Sequence, residues 1–457
     1  MHDVVVVGGG IAGLTAAWDL TQAGLDVKVI EESSQAGGNI STVGAQDYRM
    51  ESGPHSFMGS AENVWRLLEE LGINEDVVAA AAVSNNRYIL RNGKLHALPM
   101  GAWAFLTTGL LGCGAKLSLM CEPFKRNGAR EEDTAWDFFK RRFGEEAATY
   151  IMSPFISGVY AGDIRQLGAL AAFPKFWNFE KDSGSMIRGA MKYMKAKRRR
   201  LKAEGKPYRK GLFSLPGGLG GITAKLAERL GPAVETGSLI ENMVALPGGV
   251  EVRSGDRIWQ GRAALMAVPP NRGAEILENS LPAAAAALRR IPMVPVAVLH
   301  WRCDNPAADL PQGFGFLVPR VEGVRLLGTL FPSQLFGDRA PAGSHLQASF
   351  YGGALDRAAY DMDDASLTEL MRAEHEAAFG VTLKGLQVLR IVRHPYAIPQ
   401  LTPEHPATVA ALRLAVSEIP GLSLAGNYLT GVGIEQAVES GYVAASEVRT
   451  YLLGAQS

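Results

Sequence analysis

The chain opens on an unbroken apolar run. Asp3-Val4-Val5-Val6-Val7 shows no alternation and is followed at once by glycines, which predicts a strand buried on both faces. The next segment, Leu14 to Ala23, carries apolar residues at Leu14, Ala17, Trp18 and Leu20, the spacing of a helix, and Gly24 follows as a C-cap. A second strand is predicted over Asp26 to Ile30, ending in Glu31. This α/β pattern holds to about residue 86. From about 87 to 212 the apolar positions fall on helical faces rich in Trp, Phe and Met, and this zone ends in the basic run Lys192 to Lys202. From about 213 the α/β pattern returns. Leu215-Pro216-Gly217-Gly218-Leu219 leads into a helix over Ile222 to Leu230. A hairpin follows over Val250 to Trp259, then a buried strand from Ala263 to Val268 closed by Pro269-Pro270. Between about 271 and 404 short strands alternating with turns are expected, with one helix near Ala365 to Phe379.

Two glycine-rich segments at opposite ends of the chain carry the chemistry. Gly8, Gly10 and Gly13, with Ile11 and Ala12 between the last two, fit Gly-x-Gly-x-x-Gly between strand and helix. The first glycine allows the tight turn, the second lets a pyrophosphate approach, and the third lets helix pack on strand. Glu31 stands where an acid accepts from ribose hydroxyls, with Glu32 beside it. Gly37-Gly38-Asn39 and Glu51-Ser52-Gly53-Pro54-His55-Ser56-Phe57 follow in order. The late segment Leu424 to Glu435 contains Gly426-Asn427 and Gly431-Val432-Gly433-Ile434. A nicotinamide site usually closes within one contiguous half of a chain, whereas a late return segment marks a flavoprotein with two dinucleotide-binding motifs. The expected cofactor is therefore FAD. No cysteine lies in Tyr428 to Ile434 and no histidine in the N-terminal glycine loops, so the flavin is expected to be held non-covalently.

With 457 residues the chain exceeds one ordinary core, and two or three domains are expected. Lys plus Arg balance Asp plus Glu at 46 each, which argues against a nucleic-acid binder acting through bulk charge. The three cysteines form no Cys-x-x-Cys and the eight histidines no ligand spacing, so no metal site is expected. His55, as a lone histidine, reads as a hydrogen-bonded structural residue. With the first strand beginning at residue 2 or 3 no signal peptide is expected, and a sparse, odd cysteine count suits a reducing cytoplasm. The longest apolar stretch, Ala102 to Met120, is broken by glycines and Lys116 and is marginal for a spanning helix.

The middle motifs are more distinctive. Ser157-Gly158-Val159-Tyr160-Ala161-Gly162-Asp163, Ala172-Phe173-Pro174-Lys175-Phe176-Trp177-Asn178, Gly313 to Pro319, Leu327 to Phe331 and Ala397-Ile398-Pro399-Gln400 accompany the glycine segments. With these the chain resembles the oxygen-dependent, FAD-containing protoporphyrinogen oxidases of the monoamine-oxidase-like flavoprotein superfamily, over nearly its whole length. The resemblance implies an α/β fold, α+β as a whole. A discontinuous FAD domain (1–60, 213–270 and 405–457) would carry a mixed-sheet substrate domain (61–86 and 271–404) and an inserted helical membrane-associated domain (87–212). It implies oxidation of protoporphyrinogen IX to protoporphyrin IX, with three O2 consumed and three H2O2 released. By position it makes Arg87 the partner of a substrate propionate, Leu317, Leu330 and Phe350 the apolar clamp, and Gly158 the residue whose carbonyl faces the substrate. The FAD set is Gly8, Gly10, Ile11, Ala12, Gly13, Glu31, Glu32, Gly37, Gly38, Asn39, Gly53, Pro54, His55, Ser56, Ile240, Gly426, Asn427, Gly431, Val432, Gly433 and Ile434. No side chain stands out as a catalytic base, so flavin N5 is the expected hydride acceptor. Coproporphyrinogen III, with four propionates, is the alternative substrate, and a non-catalytic flavin-stabilised tetrapyrrole carrier the alternative of another class. A cytoplasmic protein held peripherally on the inner face of the membrane is expected, with a homodimer and hand-over to a ferrochelatase as further partners to test.

Overall fold

The computed structural model describes residues 1–99, 101–125 and 128–454; the last three residues of the expected FAD domain and residues 100, 126 and 127 of the helical zone lie outside the described residues. Two seven-stranded sheets organise the chain. The first runs, in order, Val234–Glu235, Val27–Ile30, His2–Val7, Arg257–Met266, Gly249–Ser254 and Asn242–Leu246, and Leu422–Leu424 also pairs with Arg257–Met266. Its nucleus is parallel, with His2–Val7 between Val27–Ile30 and Arg257–Met266. The valine run is buried on both faces. Val4 and Val6 pack under the helices Ile11–Gln22, Glu62–Leu71, Gly220–Leu230 and Ile434–Gly454. Val5 and Val7 pack under Pro270–Leu277, Pro282–Arg289 and His405–Val416. The strand expected at Ala263 is the second half of one ten-residue strand, Arg257–Met266, whose first half closes the hairpin.

The second sheet runs Gln387–Pro399, Met293–Arg302, Gln347–Gly352, Gly328–Leu330, Gly315–Leu317, Arg87–Arg91 and Lys94–Ala97. It corrects two expectations. Residues 87–97 are not helical but form a hairpin on this sheet, closed by Asn92-Gly93 with both φ positive, at 53° and 69°. That is the two-residue turn whose twist matches paired strands. Residues 271–404, expected as short strands, begin with two helices packed on the first sheet and include two strands of 10 and 13 residues. The expected boundary at 61 also shifts, because Val64, Trp65, Leu67, Leu68 and Leu71 pack in the first core.

The helices of the middle zone, among them Ala135–Phe143, Ser153–Tyr160, Pro174–Ser183 and Met186–Ala203, share an aromatic core of Trp136, Phe138, Phe139, Tyr160, Phe173 and Trp177. Leu401 and Val432 reach into that core from far along the chain. Among the described residues no helix is long and apolar enough to cross a membrane.

Candidate active site

The three fingerprint glycines answer to three different constraints. Gly8 has φ of +106°, and a Cβ there would lie 2.6 Å from the Ala267 carbonyl oxygen. A Cβ on Gly13 would overlap the Gly8 carbonyl, so strand and helix could not approach as they do. Gly10 differs. Its φ is −73° and nothing lies within 4 Å of where a Cβ would stand. No described protein atom crowds this position, which leaves the backbone open to a ligand's close approach. The helix that starts here has no side-chain cap and no acid in its first turn, which leaves its first amides, those of Ile11 and Ala12 among them, aimed at the same open side. Glu31 closes the loop: Oε2 accepts from Gly9 N–H at 2.6 Å and Oε1 from Ser33 N–H at 2.9 Å. A carboxylate with both oxygens so engaged still has lone pairs for ribose hydroxyls. Glu32 is exposed, 3.6 Å from Arg272, whose other nitrogen donates to the Ile240 carbonyl at 2.8 Å. Those residues mark the outer edge of the cradle.

The later segments dock on this loop. Gly37 N–H donates to Gly9 O at 2.8 Å, and the Cβ position of Gly38 is 3.2 Å from Gly10 Cα. Gly53 lies so close to the Asn39 carbonyl that a Cβ would overlap it. Pro54 and Ser56 flank His55, whose ring is buried with no hydrogen-bond partner at either nitrogen, contrary to the hydrogen-bonded role expected of it. The return segment arrives through Gly426 (φ +151°) and Gly431 (φ +150°), whose N–H donates to Asn427 O at 3.1 Å, and continues through Gly433 into the helix Ile434–Gly454. That helix packs on Ile11–Gln22 at Gly441, where a Cβ would lie 2.5 Å from Ala12 O. Glu435 accepts from Asn63 and Val64 N–H at 3.0 and 3.1 Å and so holds the start of the helix Glu62–Leu71. The open side of Gly10, the uncapped helix and the unpartnered His55 fit a bound dinucleotide.

The second sheet presents one face to this cradle. Gly315 pairs with Arg87 and Leu330, and Leu330 with Ala348; Leu317 pairs with Ile89 and Gly328, and Gly328 with Phe350. Alternate residues of a strand share a face, so Arg87, Leu317, Leu330 and Phe350 all point the same way. Large side chains alternate with Gly315, Gly328 and Ala348, which leaves a trough with an apolar floor. The opposite face carries Tyr88, Phe316 and Tyr351 into a separate core. Gly158 crosses the trough in the helix Ser153–Tyr160, where a Cβ would overlap Leu317 Cδ2. That helix ends at Ala161 in a left-handed conformation (φ 45°), and the Gln400 amide donates to Tyr160 O at 2.9 Å. Arg87 stacks on Phe314 at 4.8 Å; among the described residues no carboxylate pairs with it, and partial burial lowers its pKa.

The same face continues through His300, Arg390 and His394, which the sequence reading missed. His300 Nε2 donates to Glu51 O at 2.9 Å and His394 Nε2 to Ser52 O at 2.7 Å, so the second sheet grips the cradle segment by its backbone. No local pattern announces these histidines; the register of two long strands places them.

A cradle for a dinucleotide, completed from both ends of the chain and facing an apolar trough edged by Arg87, which pairs with no carboxylate among the described residues, is the site of a cofactor-dependent oxidoreductase. The chain belongs to the flavin containing amine oxidoreductase family, which matches residues 11–449. It is 31% identical to the chloroplastic protoporphyrinogen oxidase of Nicotiana tabacum, with 98% of this chain and 86% of that one covered. It is 25% identical to the coproporphyrinogen III oxidase of Bacillus subtilis (strain 168), with 98% of each covered. A crystal structure from Exiguobacterium sp. 255-15 shares the fold, with a TM-score of 0.82 at 23% identity over 98% of each chain. The protein is an oxidoreductase and its cofactor is FAD.

Proposed function

We propose that the protein oxidises protoporphyrinogen IX to protoporphyrin IX, with O2 as the final acceptor and one H2O2 released per flavin turnover. The observation that carries this reading is the shared sheet face of Arg87, Leu317, Leu330 and Phe350 opposite the cradle. A flat apolar macrocycle with acid tails needs a slot of aliphatic and aromatic side chains and a cation at its rim. Leu317 and Phe350 stand two strand spacings apart, about 10 Å, with Gly328 between them. Arg87 offers a planar fork to a propionate and has no internal carboxylate to release first. Bound FAD supplies a hydride acceptor. The residues of the chain hold the macrocycle against it, exclude water and fix which bridge carbon faces the ring.

Coproporphyrinogen III is the second reading, supported by the Bacillus subtilis relative. Anaerobic mixing of the FAD-loaded protein with each porphyrinogen separates the two: the substrate bleaches the flavin fast, and the other slowly. No bleaching with either would sink the catalytic reading and leave the carrier.

Peripheral attachment to a membrane completes the proposal. Trp103 and Phe124 are 78% and 86% exposed, and Leu106, Leu117 and Met120 stand out beside them. Large exposed apolar groups of this kind mark an interfacial surface. The helix Met186–Ala203, whose first turn is held by Glu122, presents Lys192, Lys195, Arg199 and Lys202 to solvent. Lys197 and Arg200 are engaged elsewhere, both on Glu62, at 2.9 and 2.7 Å. The reading places the protein in the cytoplasm on the inner membrane face and has the apolar product leave toward a ferrochelatase.

A further inference from the structure

His55 combines deep burial with a complete lack of internal partners. The residue is 7% exposed, and among the described residues neither Nδ1 nor Nε2 has a hydrogen-bond partner. The backbone around it cannot swing the ring out to solvent. Glu51 O and Ser52 O are held by His300 and His394, and Gly53 lies against Asn39. The ring faces His300 at 6.0 Å between centres and meets Phe350 edge-on at 6.1 Å. It therefore sits at the seam between the cofactor cradle and the substrate trough. Desolvation, followed by repulsion from His300 and Arg339, holds its pKa down to about 3, so the ring is neutral. A neutral imidazole has one N–H to donate and one bare nitrogen to accept. A buried polar group left unpaired is costly, and among the described residues no atom lies within hydrogen-bond distance of either ring nitrogen.

We propose that His55 donates its ring N–H to a polar atom of the flavin ring and thereby favours the reduced flavin. Two observations choose the flavin over the substrate. His55 is two residues beyond Gly53, which touches the cradle directly, and its edge toward the trough is already covered by Phe350. Of the acceptors on a flavin ring, N1 and the C2 carbonyl oxygen gain negative charge on reduction, whereas N5 takes up the hydride and becomes a donor, so the acceptor that meets His55 is one of the first two. A donor fixed against one of them binds the reduced ring more tightly than the oxidised one. His55 keeps its proton throughout. The proposal rests on FAD binding in the cradle and is independent of which substrate is oxidised.

The test uses FAD-loaded protein without substrate. Midpoint potential and visible spectrum are measured for the wild type, His55→Leu and His55→Asn. His55→Leu should shift the equilibrium toward oxidised flavin by up to tenfold, about 30 mV for a two-electron couple, with flavin content retained. His55→Asn, which keeps an N–H donor near Nδ1, should recover part of the shift. A leucine variant with wild-type potential and spectrum would overturn the proposal. If the leucine variant binds no FAD, ring 15N resonances of wild-type histidines decide the matter: the His55 N–H signal must move on FAD loading, and a stationary signal overturns the proposal. Porphyrinogen turnover enters neither readout, so the two readings fail separately.

Discussion

Replacing Gly158 by alanine strains the trough at one defined contact. Gly158 lies within the helix Ser153–Tyr160, and an added Cβ would come well inside 3.0 Å of Leu317 Cδ2, with Cδ1 and Cγ both at 3.5 Å. Carbon atoms pack at about 3.5–4.0 Å, so Cδ2 must retreat on the order of 1 Å. Overpacking of this kind costs about 1–3 kcal/mol. Alanine in a helix interior returns roughly 0.5–1 kcal/mol relative to glycine, so stability should change little. The displaced Leu317 instead intrudes on the slot. A loss of about 1–2 kcal/mol of transition-state binding corresponds to a roughly 5- to 30-fold fall in kcat/KM, carried mainly by KM. The assay is steady-state porphyrinogen oxidation by variants matched for FAD content, extended to Leu317→Ala and the double substitution. Truncating Leu317 removes the clash, so the pair should couple by about 0.5–3 kcal/mol, with the double variant better than the sum. Strict additivity, or wild-type KM in Gly158→Ala, would refute the placement of Leu317 over Gly158.

Arg87→Ala should lose about 1.5–3 kcal/mol of charge-assisted hydrogen bonding, roughly 10- to 150-fold in kcat/KM, with normal FAD content; Arg87→Lys should recover part, and wild-type kinetics would remove Arg87 from the site. Acid or heat denaturation should release all the flavin as free FAD, since the described cysteines lie in the helical zone or, for Cys303, in the core of the second sheet; flavin left in the pellet would contradict this. Changing Lys192, Lys195, Arg199 and Lys202 to glutamine should weaken binding to anionic vesicles by about 1 kcal/mol per charge while sparing neutral ones. Equal, negligible binding of the parent protein to both vesicle types would remove the membrane proposal.

The cradle was legible in the sequence because its chemistry is local. Each fingerprint glycine answers to a neighbour a few residues away or to the ligand, and turn, helix and acid follow in order. The trough residues were legible only through resemblance. Leu317, Leu330 and Phe350 come from three strands whose register no periodicity reveals, and as isolated residues they read as ordinary core. The hairpin at 87–97 carried its own signal, Asn92-Gly93 between short alternating runs, and was lost beneath the aromatic helices that follow. His300, Arg390 and His394 left no trace in the sequence, since their role depends on a strand pairing almost a hundred residues wide. His55 was visible as a residue but not as an unpartnered one, because satisfaction of a buried group is a property of the packed structure.

The first sheet also sets an order of events during synthesis. Its strands come from residues 2–30, 234–266 and 422–424, so its pairings are among the most distant in the chain. Contacts of long sequence separation form slowly. On the ribosome the Gly8 to Gly13 loop emerges early and waits through some 400 residues for the segment that closes over it. The middle helices and the second sheet can gather while that cradle is still open on one side. The last helix then lies along the first, with Gly441 against Ala12, and Glu435 fastens the helix at Glu62. Loading of FAD is thus expected only after the return segment has been made, and a chain stopped before Leu422 is expected to retain no cofactor.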